Sequence, residues 1–205
     1  MHPERVRVAV LDDYQDVAAG FADWSVLPPE VEVAFFRDPL PNEDALTDRL
    51  ADFAIVVAMR ERTAFPRRQL ERLPRLRLLV TTGMRNAAID MAAARELGIL
   101  VCGTASLGYP AAELTWGLIL SLCRHIAQEH QAIREGRWQT TVGDGLSGKT
   151  LGVLGLGRLG SQVARVGTAF GMDVVAWSQN LTETRCAEVG VRRADKDELL
   201  PPPTS

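Results

Sequence analysis

The segment Leu151-Gly152-Val153-Leu154-Gly155-Leu156-Gly157-Arg158-Leu159-Gly160 constrains this chain more than any other stretch. An apolar run enters a G-x-G-x-x-G pattern, and a helical pattern leaves it. Gly155 permits a tight turn, Gly157 lets the backbone come up to a pyrophosphate, and Gly160 lets the new helix pack closely on the strand. The N–H groups that open the helix then face the phosphates, and the helix dipole favours their charge. Glycine-rich turns are common, so the flanks have to support the reading. Val153 and Leu154 read as a buried strand. Ser161 to Phe170 reads as a helix with Val163, Val166 and Phe170 on one face, and Asp173 to Trp177 as a second strand. That is one βαβ unit of the size a dinucleotide site needs, with Gly155, Gly157, Arg158, Leu159 and Gly160 facing the cofactor.

A rival pattern lies just upstream. Gly143-Asp144-Gly145-Leu146-Ser147-Gly148-Lys149-Thr150 matches G-x-x-x-x-G-K-[ST] in full. A nucleotide-binding P-loop follows a buried strand and opens a helix. Here the order is inverted: polar residues 137–142 precede the pattern and the strand 151–154 follows it.

The first hundred residues alternate strands and short helices. Arg5–Leu11, Val31–Phe36, Phe53–Met59, Leu76–Val80 and Ile99–Cys102 read as strands. The run Phe53–Met59 is continuously apolar, as in a strand buried on both faces of a parallel sheet. Helices are expected over Glu43–Asp52, from Pro66 to Pro74, and over Asp90–Leu97 with Gly98 as its stop. The alternation predicts an α/β chain with two doubly wound parallel sheets: a flavodoxin-like domain over 1–103, then an incomplete Rossmann domain over 104–205. One long helix is expected over 110–135, from Pro110 to a stop at Gly136. Its apolar stripe is Leu118, Ile119, Leu122, Cys123 and Ile126, and Trp138 follows. Beyond Trp177 come a polar loop, a helix start at Asp195–Leu200, and the terminal Pro201-Pro202-Pro203-Thr204-Ser205. A dinucleotide fold uses about six strands. Two are legible here, so the domain reads as its first half only.

Composition excludes several classes. The net charge of −3 leaves no basic excess to neutralise phosphates, which argues against nucleic acid as a partner. No apolar run is long enough to span a bilayer. The N-terminus alternates charged and apolar residues and reads as a strand, not a signal peptide. Cys102, Cys123 and Cys186 form no C-x-x-C pair. They read as reduced thiols of a cytoplasmic protein rather than a disulfide frame or a metal site.

Several segments, taken together and in order, resemble the D-isomer-specific 2-hydroxyacid dehydrogenases. They are Thr82-Gly83-Met84-Arg85-Asn86-Ala87-Ala88-Ile89-Asp90, Glu96-Leu97-Gly98-Ile99, Ala112-Glu113-Leu114-Thr115, Arg134-Glu135-Gly136-Arg137-Trp138, Leu146-Ser147-Gly148-Lys149-Thr150, the glycine motif, and Phe170-Gly171-Met172. The resemblance implies a substrate domain first, a coenzyme domain second, a cleft between them, and hydride transfer between a nicotinamide and a small 2-hydroxy or 2-keto acid. It also implies a homodimer through the long helix. In similar enzymes the loop matching Gly83, Met84 and Arg85 offers backbone N–H groups to the substrate carboxylate, although Arg85 stands where a glycine is common. Arg60, just past the third strand, is a second candidate carboxylate partner, since open α/β sheets bind ligands at their carboxyl edge. A solvated loop arginine is the competing reading.

The family's catalytic Arg, Glu and His, the last in a Thr-Pro-His context, have no counterpart here, so no catalytic residue is assigned. His2, His125 and His130 read as structural. The chain by itself is therefore expected to be inactive. The alternative to a dehydrogenase is a truncated fragment or interaction module that keeps partial dinucleotide binding. NAD and NADP both stay open. NAD sites place an acid at the end of the second strand, whereas this chain has Trp177-Ser178-Gln179-Asn180, and Asp173 lies at the strand's other end. Ser178 and Asn180 could donate to a 2′-phosphate, and Arg185 is the one arginine within ten residues.

Overall fold

The structure, a computed structural model, describes residues 5–200; His2 and Pro201–Ser205 lie outside the described residues. The chain divides into two compact units, Met1–Ser106 and Leu107–Ser205.

The first unit alternates β1 (Val6–Val10), β2 (Val31–Phe35), α1 (Glu43–Leu50), β3 (Ile55–Ala58), α2 (Arg67–Leu70), β4 (Leu78–Thr81), α3 (Met91–Glu96) and β5 (Leu100–Gly103). All five strands are parallel, in the order β2-β1-β3-β4-β5, which is the flavodoxin-like order. Apolar residues supply the layers: Val56, Ala58 and Leu79 in the sheet are fully buried under Leu46, Leu50, Leu70 and Ala93 from the helices. Side-chain caps set the helix starts. Asn42 accepts from the Ala45 N–H at 2.9 Å, and Asp90 from the Ala93 N–H at 2.9 Å. Each such cap is worth about 1 kcal/mol.

The carboxyl end of β1 carries two buried acids, and both find donors, as buried charge requires. Asp13 accepts from the Val17 and Ala18 N–H groups at 3.0 and 3.1 Å. Asp12, in the left-handed region at φ 59, accepts from Thr63 Oγ1 at 2.8 Å and the Tyr14 hydroxyl at 3.2 Å.

The second unit contains α4 (Pro110–Cys123), α5 (Ile126–Arg134), β6 (Thr150–Leu154), α6 (Arg158–Ala169), β7 (Asp173–Trp177), α7 (Glu183–Val189), β8 (Arg192–Arg193) and α8 (Lys196–Leu199). Its sheet has three parallel strands in the order β6-β7-β8. This corrects the expectation of two strands. β8 is only two residues long, too short to show an apolar period. The expected polar loop beyond Trp177 also holds a helix, α7: Thr182 accepts the Arg185 N–H at 3.2 Å as its cap, Glu183 occupies the first turn, and Gly190 closes it at φ 78.

One further expectation changes. The helix expected over 110–135 is two helices. His125 sits between them in the left-handed region at φ 53, and the Cys123 carbonyl accepts the Asp144 N–H at 2.7 Å instead of continuing the helical ladder. The expected stripe lies mostly on the exposed side of the helices. Ala112 and Trp116 are the buried residues of α4, whereas Leu118, Leu122 and Ile126 are exposed. Trp116 Nε1 donates to the Val163 carbonyl at 3.2 Å, and its ring lies 5.1 Å from that of Phe170. On α6 the buried face is Ser161, Ala164 and Gly167, while Val166 and Phe170 are partly exposed. Small residues win because the helix lies close on the sheet: a Cβ on Gly167 would come within 2.7 Å of Leu151 Cδ2.

The segment after α5 is pinned by one carboxylate. Glu129 accepts from Thr140 Oγ1 at 2.8 Å, Thr141 Oγ1 at 2.7 Å and the Thr140 N–H at 3.2 Å. Those hydroxyl bonds hold its carboxyl down at about 2, against an ordinary 4.5. A depressed carboxylate contributes stability above its unfolded pKa and loses it as pH falls through the folded one. Glu129→Gln should therefore melt below the native chain at neutral pH. The gap should narrow below about pH 4.5 and close towards pH 2, which thermal melts at a series of pH values will read.

Candidate functional site

The glycine turn lies between β6 and α6. The Gly155 N–H donates to the Trp177 carbonyl at 2.8 Å, which ties the turn to the end of β7. Gly155 has φ 93, a conformation that strains any residue with a Cβ. A Cβ on Gly160 would overlap the Gly155 carbonyl oxygen and press on Val153 Cγ1 at 3.2 Å, so the first turn of α6 crosses the strand end in direct backbone contact. Gly157, the N-cap of α6, is different. A Cβ there would meet nothing within 4 Å, so the space in front of it is open.

That space is a groove of about 660 Å³ lined by Leu154, Gly155, Gly157, Arg158, Leu159 and Gly160, with Thr115 and Ile119 of α4 on its other wall. All five cofactor-facing residues expected from the motif thus meet on one groove. Ser178, the sixth, does not line it; it sits one residue past β7, next to the Trp177 carbonyl that anchors the turn. α6 has twelve residues and no side-chain cap, so its first-turn N–H groups are presented by the backbone alone. A glycine cradle, an open approach and a helix N-terminus fit a dinucleotide pyrophosphate.

The P-loop pattern is absorbed elsewhere. Residues 143–148 carry no helix or strand, and β6 begins at Thr150. Lys149 Nζ pairs with Asp144 at 3.1 Å on the surface.

Arg185 is not where a 2′-phosphate partner is wanted. Its Nε donates to the Leu156 carbonyl at 3.3 Å, its Nη2 to Ser161 Oγ at 2.8 Å, and its Nη1 to Glu188 at 2.9 Å. Arg192 and Arg193, next along the chain, pair with Glu198 at 2.7 Å and Glu183 at 3.4 Å. The sequence motif gave no hint of the Arg185 contact, because it joins residues 24 and 29 positions apart.

In the first unit, the expected substrate residues gather at the carboxyl edge of β3 and β4. Arg60 follows β3 in the left-handed region at φ 53. Its guanidinium lies on Gly83, where a Cβ would collide with Nη1. Asn86 donates to the Arg60 carbonyl, and Thr82 Oγ1 accepts the Arg60 N–H at 3.1 Å. Met84 and Arg85 are exposed and line a cavity of about 370 Å³ with Thr81, Asn86, Val101 and Gly103. Arg60 is not among that cavity's lining residues. The Gly83 N–H, one of the expected carboxylate donors, is already committed to Thr104 Oγ1 at 3.0 Å.

The thiols are unpaired: Cys102 is exposed, Cys123 half-buried and Cys186 buried. Burial, followed by the nearby Glu183, pushes the Cys186 thiol above its usual range, which makes it inert. Among the described residues no group of His, Cys, Asp and Glu could hold a metal ion, and no helix is long and apolar enough to cross a membrane.

A parallel α/β unit with a glycine turn at a helix N-terminus, preceded by a flavodoxin-like unit, defines a dinucleotide-binding class of protein. Comparison with known proteins narrows it. Residues 116–202 match the family described as D-isomer specific 2-hydroxyacid dehydrogenase, NAD binding domain. The glyoxylate reductase of Aeropyrum pernix is 33% identical over 181 residues, covering 83% of this chain and 53% of that protein. The hydroxypyruvate reductase of Thermotoga maritima is 35% identical over 148 residues, covering 71% of this chain and 47% of that one. The crystal structure of a phosphoglycerate oxidoreductase from Vibrio cholerae superposes with a TM-score of 0.88 at 34% identity, over 95% of this chain and 63% of that one. The chain belongs to the D-isomer-specific 2-hydroxyacid dehydrogenase family. It spans about half the length of these two reductases.

The two glycines that flank the open space should respond differently to a methyl group. Gly160→Ala should cost about 1–3 kcal/mol of stability by overpacking. Gly157→Ala should stay within about 0.5 kcal/mol of the native chain, yet weaken dinucleotide binding by filling the approach. Thermal melts and an NADH titration on both variants check the contrast.

Proposed function

We propose that this chain carries the coenzyme turn and the substrate-carboxylate loop of an NAD(P)-dependent 2-hydroxyacid dehydrogenase. The unit beginning near residue 104 holds the coenzyme, and residues 1–103 hold the acid. The observation that carries the reading is the open space in front of Gly157, beside a Gly155–Gly160 contact that no side chain could replace. When bound, the nicotinamide exchanges a hydride with C2 of a 2-hydroxy or 2-keto acid. The residues of this chain bind and orient. The turn at Gly155–Gly157 and the first turn of α6 receive the pyrophosphate. The Met84 and Arg85 N–H groups and the Arg60 guanidinium receive the substrate carboxylate, the guanidinium offering a planar pair of donors. Gly83 takes no direct part, since its N–H serves to fix the loop on Thr104. Ser178 is the candidate of this chain for the adenosine ribose, and its hydroxyl suits both NAD and NADP.

This reading assigns no acid/base at either edge. His125 occupies the break between α4 and α5, and His130 is exposed on α5. The 205-residue polypeptide should therefore bind coenzyme without turning substrate over at ordinary rates, since loss of a general acid/base alone costs about 10²–10⁴-fold. The assay is nicotinamide absorbance with glyoxylate, hydroxypyruvate, pyruvate and phenylpyruvate, together with a fluorescence titration of NADH and NADPH. Binding without turnover is the expected outcome. Turnover at ordinary rates defeats the assignment of no acid/base, and failure to bind either coenzyme defeats the whole reading.

The small acid is one partner, and a second copy of the chain is the other. Leu114, Leu118, Leu122 and Ile126 recur at four-residue spacing along the exposed side of α4 and the start of α5, at 64, 62, 77 and 52% exposure, and Trp138 is 74% exposed. A contiguous apolar stripe of this kind marks an association surface. Leu118→Glu with Leu122→Glu should leave the melting behaviour of the first unit intact and shift the chain from dimer to monomer in sedimentation. A native chain that is monomeric at high micromolar concentration would exclude the dimer.

A further inference from the structure

We infer that Arg185 is a positioning residue for the dinucleotide turn: with Ser161 it holds the Leu156–Gly157 peptide so that the Gly157 N–H points into the groove. The inference rests on the coenzyme reading above and deepens it.

The geometry is a small closed network. Arg185 Nη2 donates to Ser161 Oγ at 2.8 Å, Ser161 Oγ donates to the Leu156 carbonyl at 3.2 Å, and Arg185 Nε donates to that same carbonyl at 3.3 Å. Ser161 is 3% exposed, so its hydroxyl needs these partners. The Leu156 carbonyl thus accepts two bonds, one from a charged donor. In a planar trans peptide the C=O and the following N–H point in opposite directions. Drawing the Leu156 oxygen towards Ser161 and Arg185 therefore turns the Gly157 N–H the other way. Gly157 lines the groove, and a Cβ on it would meet nothing within 4 Å, so the space around it is open to a ligand. Glycines flank Leu156 on both sides, so the backbone has little intrinsic preference for this orientation. It has to be imposed from outside the motif. α7 supplies the imposing group, and Glu188 steadies it through Nη1 at 2.9 Å.

The role differs from that of a 2′-phosphate partner, for which Arg185 is the sequence-level candidate. A residue that orients the turn affects NADH and NADPH alike; a phosphate partner affects NADPH alone. The test measures dissociation constants for both coenzymes on the full 205-residue chain and on Arg185→Met, Arg185→Lys and Ser161→Ala. It also follows amide hydrogen exchange across residues 155–160 without coenzyme. Arg185→Met should weaken both coenzymes by the same factor, about tenfold, as expected for one charge-assisted bond. Lysine should restore only part of that, because it lacks the fork that reaches both acceptors. Ser161→Ala combined with Arg185→Met should cost less than the product of the two single effects. Exchange at the turn should rise while the exchange of β7 stays unchanged. Selective loss of NADPH, unaltered affinity for both coenzymes, or unaltered exchange at the turn would overturn the inference. A native chain that binds neither coenzyme would overturn the functional reading, and the exchange comparison would still decide whether Arg185 holds the turn.

Discussion

The second unit depends on one backbone-to-backbone contact, that of Gly160 with the Gly155 carbonyl. It sets how closely α6 approaches the end of β6. The separation then propagates along the helix, which must present small groups wherever it meets the sheet. Ser161, Ala164 and Gly167 fill that role, and each is buried. Larger residues on the same helix go to its flanks, where Trp116 of α4 packs against Phe170. The phosphate-facing side follows from the same contact. With the helix start held against the strand end, Gly155 and Gly157 bring no side chain over its first-turn N–H groups, and the space in front of Gly157 stays open.

This explains which features were legible. Parallel strands of the first unit announce themselves as apolar runs, and the caps Asn42 and Asp90 sit in plain view before their helices. The glycine motif is legible because its spacing is local. The inner face of α6 is not legible from hydrophobicity: that ranks Val163, Val166 and Phe170 above serine, alanine and glycine, yet close approach to the sheet selects for size first. The stripe on α4 is legible only in part. Amphipathic spacing shows that Leu118 and Leu122 share a side but not which surface covers that side. The break at His125 had no local signal, since the left-handed conformation there belongs to neither glycine nor asparagine. It is stabilised by the 143–144 segment, which reaches the Cys123 carbonyl from twenty residues on. α7 was legible in principle from Thr182 and Gly190, whereas β8 acquires its identity only by pairing with β7.

Of the residues expected to face ligands, those within the glycine motif share one groove because the end of β6 and the start of α6, adjacent in sequence, build it. Those at the first unit's edge come from two loops. Arg60 reaches Gly83 only because β3 and β4 are neighbours in the sheet. Sequence proximity could place Met84 beside Arg85 but could not show that the Gly83 N–H is spent on Thr104, a residue that follows β5. That commitment reduces the donors the loop can offer and shifts weight to the two residues after it and to Arg60.

Both edges solve the same problem in the same way. An acidic chain, with a net charge of −3, has to receive anions. Surface arginines alone serve poorly here, since many of them are already paired: Arg49 with Asp38, Arg67 with Glu96, Arg68 with Glu43, Arg72 with Asp44. Exposed pairs of this kind add little stability, about 0–1 kcal/mol each, but they do remove positive charge from the field around the protein. Attraction for an anion must then come from oriented peptides, whose dipoles are not cancelled by a mobile counter-charge. Oriented peptides need something to orient them. In the second unit the peptide at Leu156–Gly157 is held from behind by Ser161 and Arg185, and in the first the peptide entering Gly83 is held by Thr104 and the Arg60 carbonyl by Asn86. In each case a polar side chain sits one step back and fixes a backbone group at the edge: Arg185, which the sequence offers as a ligand contact, in the second unit, and Thr104 and Asn86 in the first.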